Sequence, residues 1–362
     1  WQIWFNRDYT EYAAVTGNTS LTLATWSPAD LMRMYIRKDV AAQIWEYGIT
    51  PQPTEPKVDP YAGNTISLEP TKVISVAGQS TFSAPRGMAT APDGSLFVAD
   101  SRNARIVHLD ATGLYLNSWG SYANVLEGPA AEGTFNEPWD VAVGPDGLVY
   151  VADTWNHRIQ VFTPDGNFVR MWSEWQVQGV IDSFWGPRGI AVDAQGHVLV
   201  TDTGKQRVVV FDSLGNYLTQ FGGRGIAEGQ LDEPVGIAVD AAGKVYVADT
   251  WNNRVQVFAP NADYTLYSSV LTWEVDAWTS DSLENKPFIA LSPAGEVFVT
   301  DPDLGRVIRF DAQGKFLQLW GGYENSYLMG IISGITIGQD GTVWVSDATN
   351  NTLLAFNPPP VP

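Results

Sequence analysis

Six aspartates recur at a regular interval and are the most prominent candidates for chemistry. Each ends a short apolar segment such as Val-Tyr-Val-Ala-Asp, at Asp100, Asp153, Asp202, Asp249, Asp301 and Asp347. Carboxylate oxygens are the ligands that Ca²⁺ and Mg²⁺ prefer, so six of them suggest a metal site. The alternative is that each aspartate fixes its own turn through hydrogen bonds to the backbone. We favour this structural role because the aspartates belong to six separate units and are too far apart to share one ion.

Three histidines, His108, His157 and His197, allow a direct test for a three-histidine metal site. One is predicted on a strand, one in a turn and one beside a hairpin at the opposite end, so they do not converge. The chain has no cysteine, which excludes disulfides and thiolate chemistry. No Ser/His/Asp set or phosphate-binding loop is present. We therefore predict no catalytic residues, no metal ligands and no cofactor.

A repeated unit positions these residues. It is clearest in Pro187 to Phe211 and Pro234 to Phe258, and it recurs at Pro85 to Leu109, Pro138 to Phe162, Pro287 to Phe310 and Ser333 to Phe356. Each copy contains short apolar strands separated by Asp- and Gly-containing turns, and the copies repeat at a period of about 50 residues. Four short strands per repeat is typical of a propeller blade. The arginines that follow the aspartates in five copies are predicted to brace the same turns, at Arg105, Arg158, Arg207, Arg254 and Arg306.

The sixth copy ends after its third strand, at Phe356. Its missing outer strand has a candidate in residues 71–77, which precede the first copy and resemble an outer strand. We predict that this segment completes the last blade and closes the ring, which removes the free strand edges of an open array.

The frame Pro-x-Gly-Ile-Ala-Val-Asp followed by Val-Tyr-Val-Ala-Asp-Thr-x-Asn-x-Arg-Val-x-Val-Phe resembles the NHL repeat. The resemblance implies an all-β fold, a six-bladed NHL-type β-propeller over residues 65–362. NHL propellers include RNA-binding domains, protein-interaction modules and a metal-dependent lyase, so the resemblance alone leaves the function open.

Residues 1–64 differ from the repeats and are predicted to be a helical segment and a Pro-rich linker. Ser27 and Pro28 form a helix start, and Met32, Ile36, Val40 and Ile44 follow at helical spacing in a helix over about 29–47. Together with residues 4–9, residues 31–48 resemble the segment that joins the last membrane helix to an NHL domain in bacterial glycosyltransferase-like, flippase-associated membrane proteins. This resemblance implies that a membrane-embedded region lies on the N-terminal side.

One face of the predicted propeller has long links that contain acidic and aromatic residues. The links between blades are long there, at 121–137, 173–186, 223–233 and 269–286, and together they hold −10 of the net charge of −19. They and the adjacent turns also contain nine aromatic residues: Tyr122, Phe135, Trp155, Trp175, Phe184, Trp185, Trp251, Trp273 and Trp278. Exposed aromatic rings among carboxylates suit sugar stacking or protein docking, whereas folding back of the links would bury the rings on each other. Both possibilities stay open.

The residues after the leading prolines of the blades are expected at the mouth of the central channel on this face. Asp140 stands where other copies have glycine, as at Gly87, Gly189 and Gly236. Arginines, an aspartate and aromatic rings around a pit could hold a small anionic or sugar ligand. The predicted ligand-binding residues are Arg86, Trp139, Asp140, Trp155, Arg188, Trp251 and Phe288.

These observations favour a non-catalytic, extracytoplasmic binding domain that recognises a glycan or a protein for a membrane glycosyltransferase-like protein. The alternatives are a metal-dependent propeller hydrolase or lyase and a general protein-interaction scaffold. The 40 acidic against 21 basic side chains argue against a nucleic-acid partner, because the summed field repels phosphates.

Overall fold

The computed structural model describes residues 59–278, 282, 286–322 and 327–361. Within it, Pro60–Pro362 forms one compact unit. The predicted helix over about 29–47 and most of the predicted linker lie outside the described residues.

Six four-stranded antiparallel sheets are the main elements of the described chain. Blade one comprises the strands Pro85–Thr90, Leu96–Asp100, Arg105–Leu109 and Tyr115–Trp119. Blade two comprises Pro138–Val143, Val149–Asp153, Arg158–Phe162 and Phe168–Trp172. Blade three comprises Pro187–Val192, Val198–Asp202, Arg207–Phe211 and Tyr217–Gly222. Blade four comprises Pro234–Val239, Val245–Asp249, Arg254–Pro260 and Tyr267–Glu274. Blade five comprises Ile289–Leu291, Val297–Asp301, Arg306–Phe310 and Phe316–Gly321. Blade six comprises Ile332–Ile337, Val343–Asp347, Thr352–Phe356 and, as its outer strand, Lys72–Ile74.

Shorter elements connect the blades. Two small hairpins pair Val76–Ala77 with Ser80–Thr81 and Glu174–Val177 with Val180–Ser183. Short 3₁₀ helices occupy the turns between the second and third strands of blades one to four, at Ser101–Asn103, Thr154–Asn156, Thr203–Lys205 and Thr250–Asn252. A further 3₁₀ helix spans Ala62–Asn64.

The burial pattern follows the position of each strand in its blade. Every residue of the second strand Val198–Asp202 is buried, because both sides of a blade pack against neighbouring blades. The outer strand Tyr217–Gly222 alternates between half-buried and exposed residues instead. The alternation indicates an outer strand with one face toward solvent.

The predicted ring closure is confirmed. Val73 pairs with Leu354 in the antiparallel ladder of blade six, and Thr71 donates its backbone N–H to the carbonyl of Ala355 at 2.7 Å. The paired segment is shorter than predicted, because residues 76–77 turn away to form their own hairpin. Strands from both ends of the unit therefore share one blade, and the third strand of that blade is paired on both sides.

Residues near the end of the predicted linker pack on blade five. Tyr61 is buried, and its ring centroid lies 4.9 Å from that of Phe316 and 6.0 Å from that of Phe310. Its hydroxyl oxygen accepts a hydrogen bond from the backbone N–H of Asp276 at 3.0 Å. The apolar core of blade five therefore includes a residue from before the first repeat.

Candidate functional site

The ends of the strands define one face of the ring, which we call the link face. Pro138 pairs with Asp153, and the same pairing joins Pro187 to Asp202 and Pro234 to Asp249. The starts of the first strands, the turns after the second strands and the links between blades thus lie on one side. This arrangement agrees with the sequence prediction.

The recurring aspartates hold turns on this face. Asp153 is fully buried and accepts hydrogen bonds from the backbone N–H of Asn136 at 2.8 Å and from Arg158 Nε at 2.7 Å. Burial raises its pKa, although the neighbouring Arg158 opposes that shift. Equivalent ion pairs join Asp100 to Arg105, Asp202 to Arg207, Asp249 to Arg254 and Asp301 to Arg306. The structural role predicted for these carboxylates and arginines is confirmed.

The three histidines lie in separate environments. His108 stacks on Phe97 with ring centroids 4.0 Å apart, and His157 stacks on Trp185 at 5.0 Å. His197 Nδ1 lies 2.8 Å from Asp193 Oδ2. In the described part of the chain, no three or more His, Cys, Asp or Glu side chains are grouped closely enough to hold a metal ion.

Six equivalent positions, one per blade, form what we call the axial ring: Arg86, Trp139, Arg188, Val235, Phe288 and Ser333. The guanidinium carbons of Arg86 and Arg188 lie 3.9 and 4.3 Å from the ring centroid of Trp139, which is thus in contact with a cation from each adjacent blade. Cation–π contacts of this kind are strongest when water is excluded. The structure therefore brings three of the predicted ligand-binding residues into direct contact.

The axial ring is filled by its own side chains. Trp139, Val235 and Phe288 belong to one buried cluster, and Trp139 is 1% exposed. The neighbouring glycines allow this close packing: a Cβ on Gly189 would overlap the carbonyl oxygen of Val235 in the next blade. The ring residues are buried, in contrast to the accessible pit expected from the sequence.

Asp140 joins three blades near the axis. Its Oδ1 accepts a hydrogen bond from the backbone N–H of Val141 at 2.9 Å, and its Oδ2 accepts one from Ile190 in blade three at 3.0 Å. Its side chain also fills the space beside Gly87 of blade one. Burial raises the pKa of Asp140 to about 8. Both carboxyl oxygens accept backbone hydrogen bonds, so the described contacts of Asp140 are structural.

Charged residues that sequence reasoning missed lie beside the axial ring. Glu233 Oε2 is 3.2 Å from Arg188 Nη1 and 3.8 Å from Lys286 Nζ, which in turn lies 4.5 Å from the ring centroid of Trp251. Glu233 and Lys286 each precede the leading proline of a blade. Glu233 also adopts a left-handed backbone conformation, with φ of 50°, which is uncommon for a residue other than glycine. The signal available in the sequence was that Glu233 and Lys286 each stand directly before a leading proline.

The aromatic residues of the link face divide into buried and exposed sets. Phe135, Trp175, Phe184 and Trp278 are buried, which agrees with the folding back of the links. Trp251 and Trp273 are half-buried, whereas Tyr122, Trp155 and Trp185 are exposed. The link predicted at 269–286 was wrong at its start, because the fourth strand of blade four continues to Glu274. The link at 173–186 contains the hairpin described above.

Six four-stranded sheets arranged as a closed ring define a six-bladed β-propeller. The NHL repeat model matches residues 82–109, 135–162, 184–211 and 231–258. These matches fall on blades one to four and bear out the repeat predicted from the sequence.

Curated relatives share short parts of the chain. Human NHL repeat-containing protein 2 is 43% identical over 70 residues, which cover 18% of this chain and 10% of that protein. Peptidylglycine alpha-amidating monooxygenase from Rattus norvegicus is 29% identical over 116 residues, 28% of this chain and 11% of that protein. The chain thus covers about a tenth of the length of these relatives.

Solved structures with the same fold are more distant in sequence. A gluconolactonase from Xanthomonas campestris has a TM-score of 0.57 at 14% identity, covering 84% of this chain and 99% of that one. Virginiamycin B lyase from Staphylococcus aureus has a TM-score of 0.53 at 11% identity, covering 80% and 99%. A chain of the nidogen/laminin complex has a TM-score of 0.52 at 17% identity, covering 70% and 85%. These likenesses establish the fold alone.

Across the residues that the structure describes, no helix is both long and apolar enough to cross a membrane.

Proposed function

We propose that this propeller is a non-catalytic binding domain whose link face recognises a glycan or a protein. The observation that carries the proposal is the placement of the two exposed tryptophans of the described chain. Trp155 and Trp185 are 40% and 59% exposed. Trp155 lies in the turn that ends at His157, and Trp185 stacks on His157, so both are at the link face. Exposed indoles supply large contact areas at low entropic cost and are enriched at binding surfaces.

The axial ring supports this surface from beneath. The guanidinium carbon of Arg188 lies 6.0 Å from the ring centroid of Trp155, and the same group contacts Trp139. Trp155 also donates its Nε1–H to Glu137 Oε2 at 3.2 Å. These contacts orient the indole in advance, which reduces the entropy lost on binding.

A metal-dependent hydrolase or lyase is the rival function. It would need ligands for the ion, and the described residues contain no group of three or more His, Cys, Asp or Glu side chains that could supply them. The lyase and lactonase structures therefore share a fold with this chain, and our proposal does not include their activities. A general protein-interaction scaffold differs from our proposal only in having no dedicated ligand site.

We further propose that the domain is extracytoplasmic and serves a membrane-embedded glycosyltransferase-like partner. The support for this is the sequence resemblance of residues 31–48 to the segment that precedes NHL domains in such proteins.

The proposal is tested with the variant Trp155→Ala/Trp185→Ala on a glycan array and against a phage-displayed library of random dodecapeptides. We expect each ligand selected by the parent protein to bind the variant at least about tenfold more weakly, which corresponds to the energy of one or two buried aromatic contacts. Leu214→Ala is the control, because Leu214 is exposed in a hairpin on the opposite face.

Circular dichroism and thermal unfolding of the variant should match those of the parent, since both side chains lie outside the core. Ligands that bind parent and variant equally, or no ligand in either screen, would refute the proposal. Metal-dependent turnover of a selected ligand would favour the hydrolase or lyase.

A further inference from the structure

Five exposed side chains of the link face lie on two links and on the turn to which both links are attached, and we call them the ridge: Tyr122, Val125, Leu126, Trp155 and Trp185. Leu126 is 85% exposed, which is high for so large an apolar side chain in a folded domain. Contiguous exposed apolar groups bordered by polar residues are typical of interaction sites.

Hydrogen bonds hold the parts of the ridge together. Val125 donates its backbone N–H to Asn156 Oδ1 at 3.0 Å, and Asn156 Nδ2 donates to the carbonyl of Ala123 at 3.0 Å. Asn156 is itself buried and belongs to the same turn as Trp155. The link between blades one and two is therefore fixed on the turn of blade two.

The other end of the ridge is fixed on the same turn. Trp185 stacks on His157 with an angle of 9° between the rings, and the backbone N–H of Gly186 donates to His157 Nδ1 at 3.1 Å. Burial lowers the pKa of His157, which favours the neutral ring that accepts this bond. The ridge is thus a preorganised surface built from two links and one turn.

The charges around the ridge have one dominant sign. Glu127, Glu132 and Glu174 are exposed on the two links, and Tyr122 donates its hydroxyl hydrogen to Glu127 Oε1 at 3.0 Å. The cation on the neighbouring turn, Lys205, already pairs with Asp182. Such a surface attracts cationic partners and repels anionic ones.

We infer that the ridge docks a polypeptide segment of another protein in which basic side chains alternate with apolar ones. The inference rests on the proposed binding function of the link face and specifies its ligand. The apolar groups would cover Leu126 and Val125, and the basic groups would approach the glutamates.

The contacts of the ridge favour a polypeptide over a glycan. Sugars stack on open aromatic faces, but His157 covers one face of Trp185. The most exposed member, Leu126, is aliphatic and offers no ring for stacking. Aliphatic side chains beside aromatic ones are better suited to apolar side chains of a protein.

The test uses the full chain and a phage-displayed library of random dodecapeptides. We expect the selected peptides to be rich in Lys or Arg together with Leu, Ile or aromatic residues. Synthetic versions should bind Leu126→Ser and Trp185→Ala about tenfold more weakly than the parent, as expected for the loss of a central apolar contact. The matched control Leu214→Ser places the same change on the opposite face and should leave the affinity unchanged.

Charge is tested separately with Glu127→Gln/Glu132→Gln. Affinity should fall about three- to tenfold, and the parent should also lose affinity when salt is raised. Peptides that are acidic or insensitive to the ridge variants, or no selected peptide at all, would overturn the inference. Glycans that bind the parent and lose affinity in Trp155→Ala/Trp185→Ala would overturn it while leaving the proposed binding function intact.

Discussion

The turns after the second strands and the axial ring lie on the same face. The residues of the turns are repeated from blade to blade, whereas those of the axial ring differ. An Asp–Arg pair recurs in the turns of five blades with nearly the same geometry. The six axial positions instead hold five different residue types, and only arginine occurs twice: Arg86, Trp139, Arg188, Val235, Phe288 and Ser333.

The difference follows from what each position shares with its equivalents. A turn is stabilised within its own blade and the preceding link, so the same solution works in every blade. The axial positions surround one common volume, and a bulky Trp139 in it requires smaller or differently shaped partners. Packing therefore explains why the axial residues differ between blades, and their difference is not by itself evidence of ligand binding.

The largest effect is expected from breaking a turn. Asp153→Ala removes a fully buried carboxylate and leaves Arg158, which is 4% exposed, without its partner. Removing one member of a buried ion pair costs about 3 to 5 kcal/mol. Denaturant unfolding should show this loss, with a smaller one for Asp100→Ala, because the side chain of Arg105 is 15% exposed. A loss below about 1 kcal/mol for Asp153→Ala would show that the repeated turns are not the main supports of the blades.

A smaller effect is expected from placing the same residue at two axial positions. Trp139→Val gives blade two the residue of blade four and should cost about 2 to 4 kcal/mol through the cavity it leaves. Val235→Trp should also destabilise, by about 1 to 3 kcal/mol, through overpacking. If the two positions share one volume, the double variant should be more stable than the sum of the single losses predicts. Strict additivity in denaturant unfolding would show that the axial positions are independent, as the turns are.

The smallest effect is a pH dependence of Asp140→Gly, which restores the glycine found in four other blades. Burial raises the pKa of Asp140 to about 8 in the folded chain, from an ordinary value of 3.8. The folded state therefore holds a proton that the unfolded chain releases, so the contribution of Asp140 to stability declines as pH rises from about 4 to 8.

The free energy of unfolding of the parent should consequently fall by about 2 to 3 kcal/mol relative to that of the variant between pH 5 and pH 7. Urea unfolding of both proteins at the two pH values measures it. A difference that stays constant over this interval would mean that Asp140 ionises in the folded protein as it does in the unfolded one.

Most of the fold could be predicted from the sequence because the chain is built from a repeated unit. Copies with the same strand and turn residues determine the number of blades, and the missing outer strand of the last copy points to residues 71–77 as its replacement. The role of the recurring aspartates could also be predicted, because side-chain to backbone hydrogen bonds in a turn depend on near neighbours.

The links were less predictable because their burial depends on contacts between blades. Trp175 is buried against Phe184 and Phe211 after the link forms a hairpin, and no local pattern distinguishes it from the exposed Trp185. The pairing of Glu233 with both Arg188 and Lys286 likewise joins residues from three successive blades. Such contacts require the three-dimensional arrangement of the ring.

The closing strand has a bearing on how the chain is made. Lys72–Ile74 leaves the ribosome before any blade exists, and its partner Thr352–Phe356 is synthesised after all other strands of the propeller. Until then the nascent chain carries an unpaired strand at each end, and contacts of such long sequence separation form slowly. Completion of the ring must therefore wait until Thr352–Phe356 has left the ribosome, and a chain terminated before Thr352 lacks the partner of its first strand.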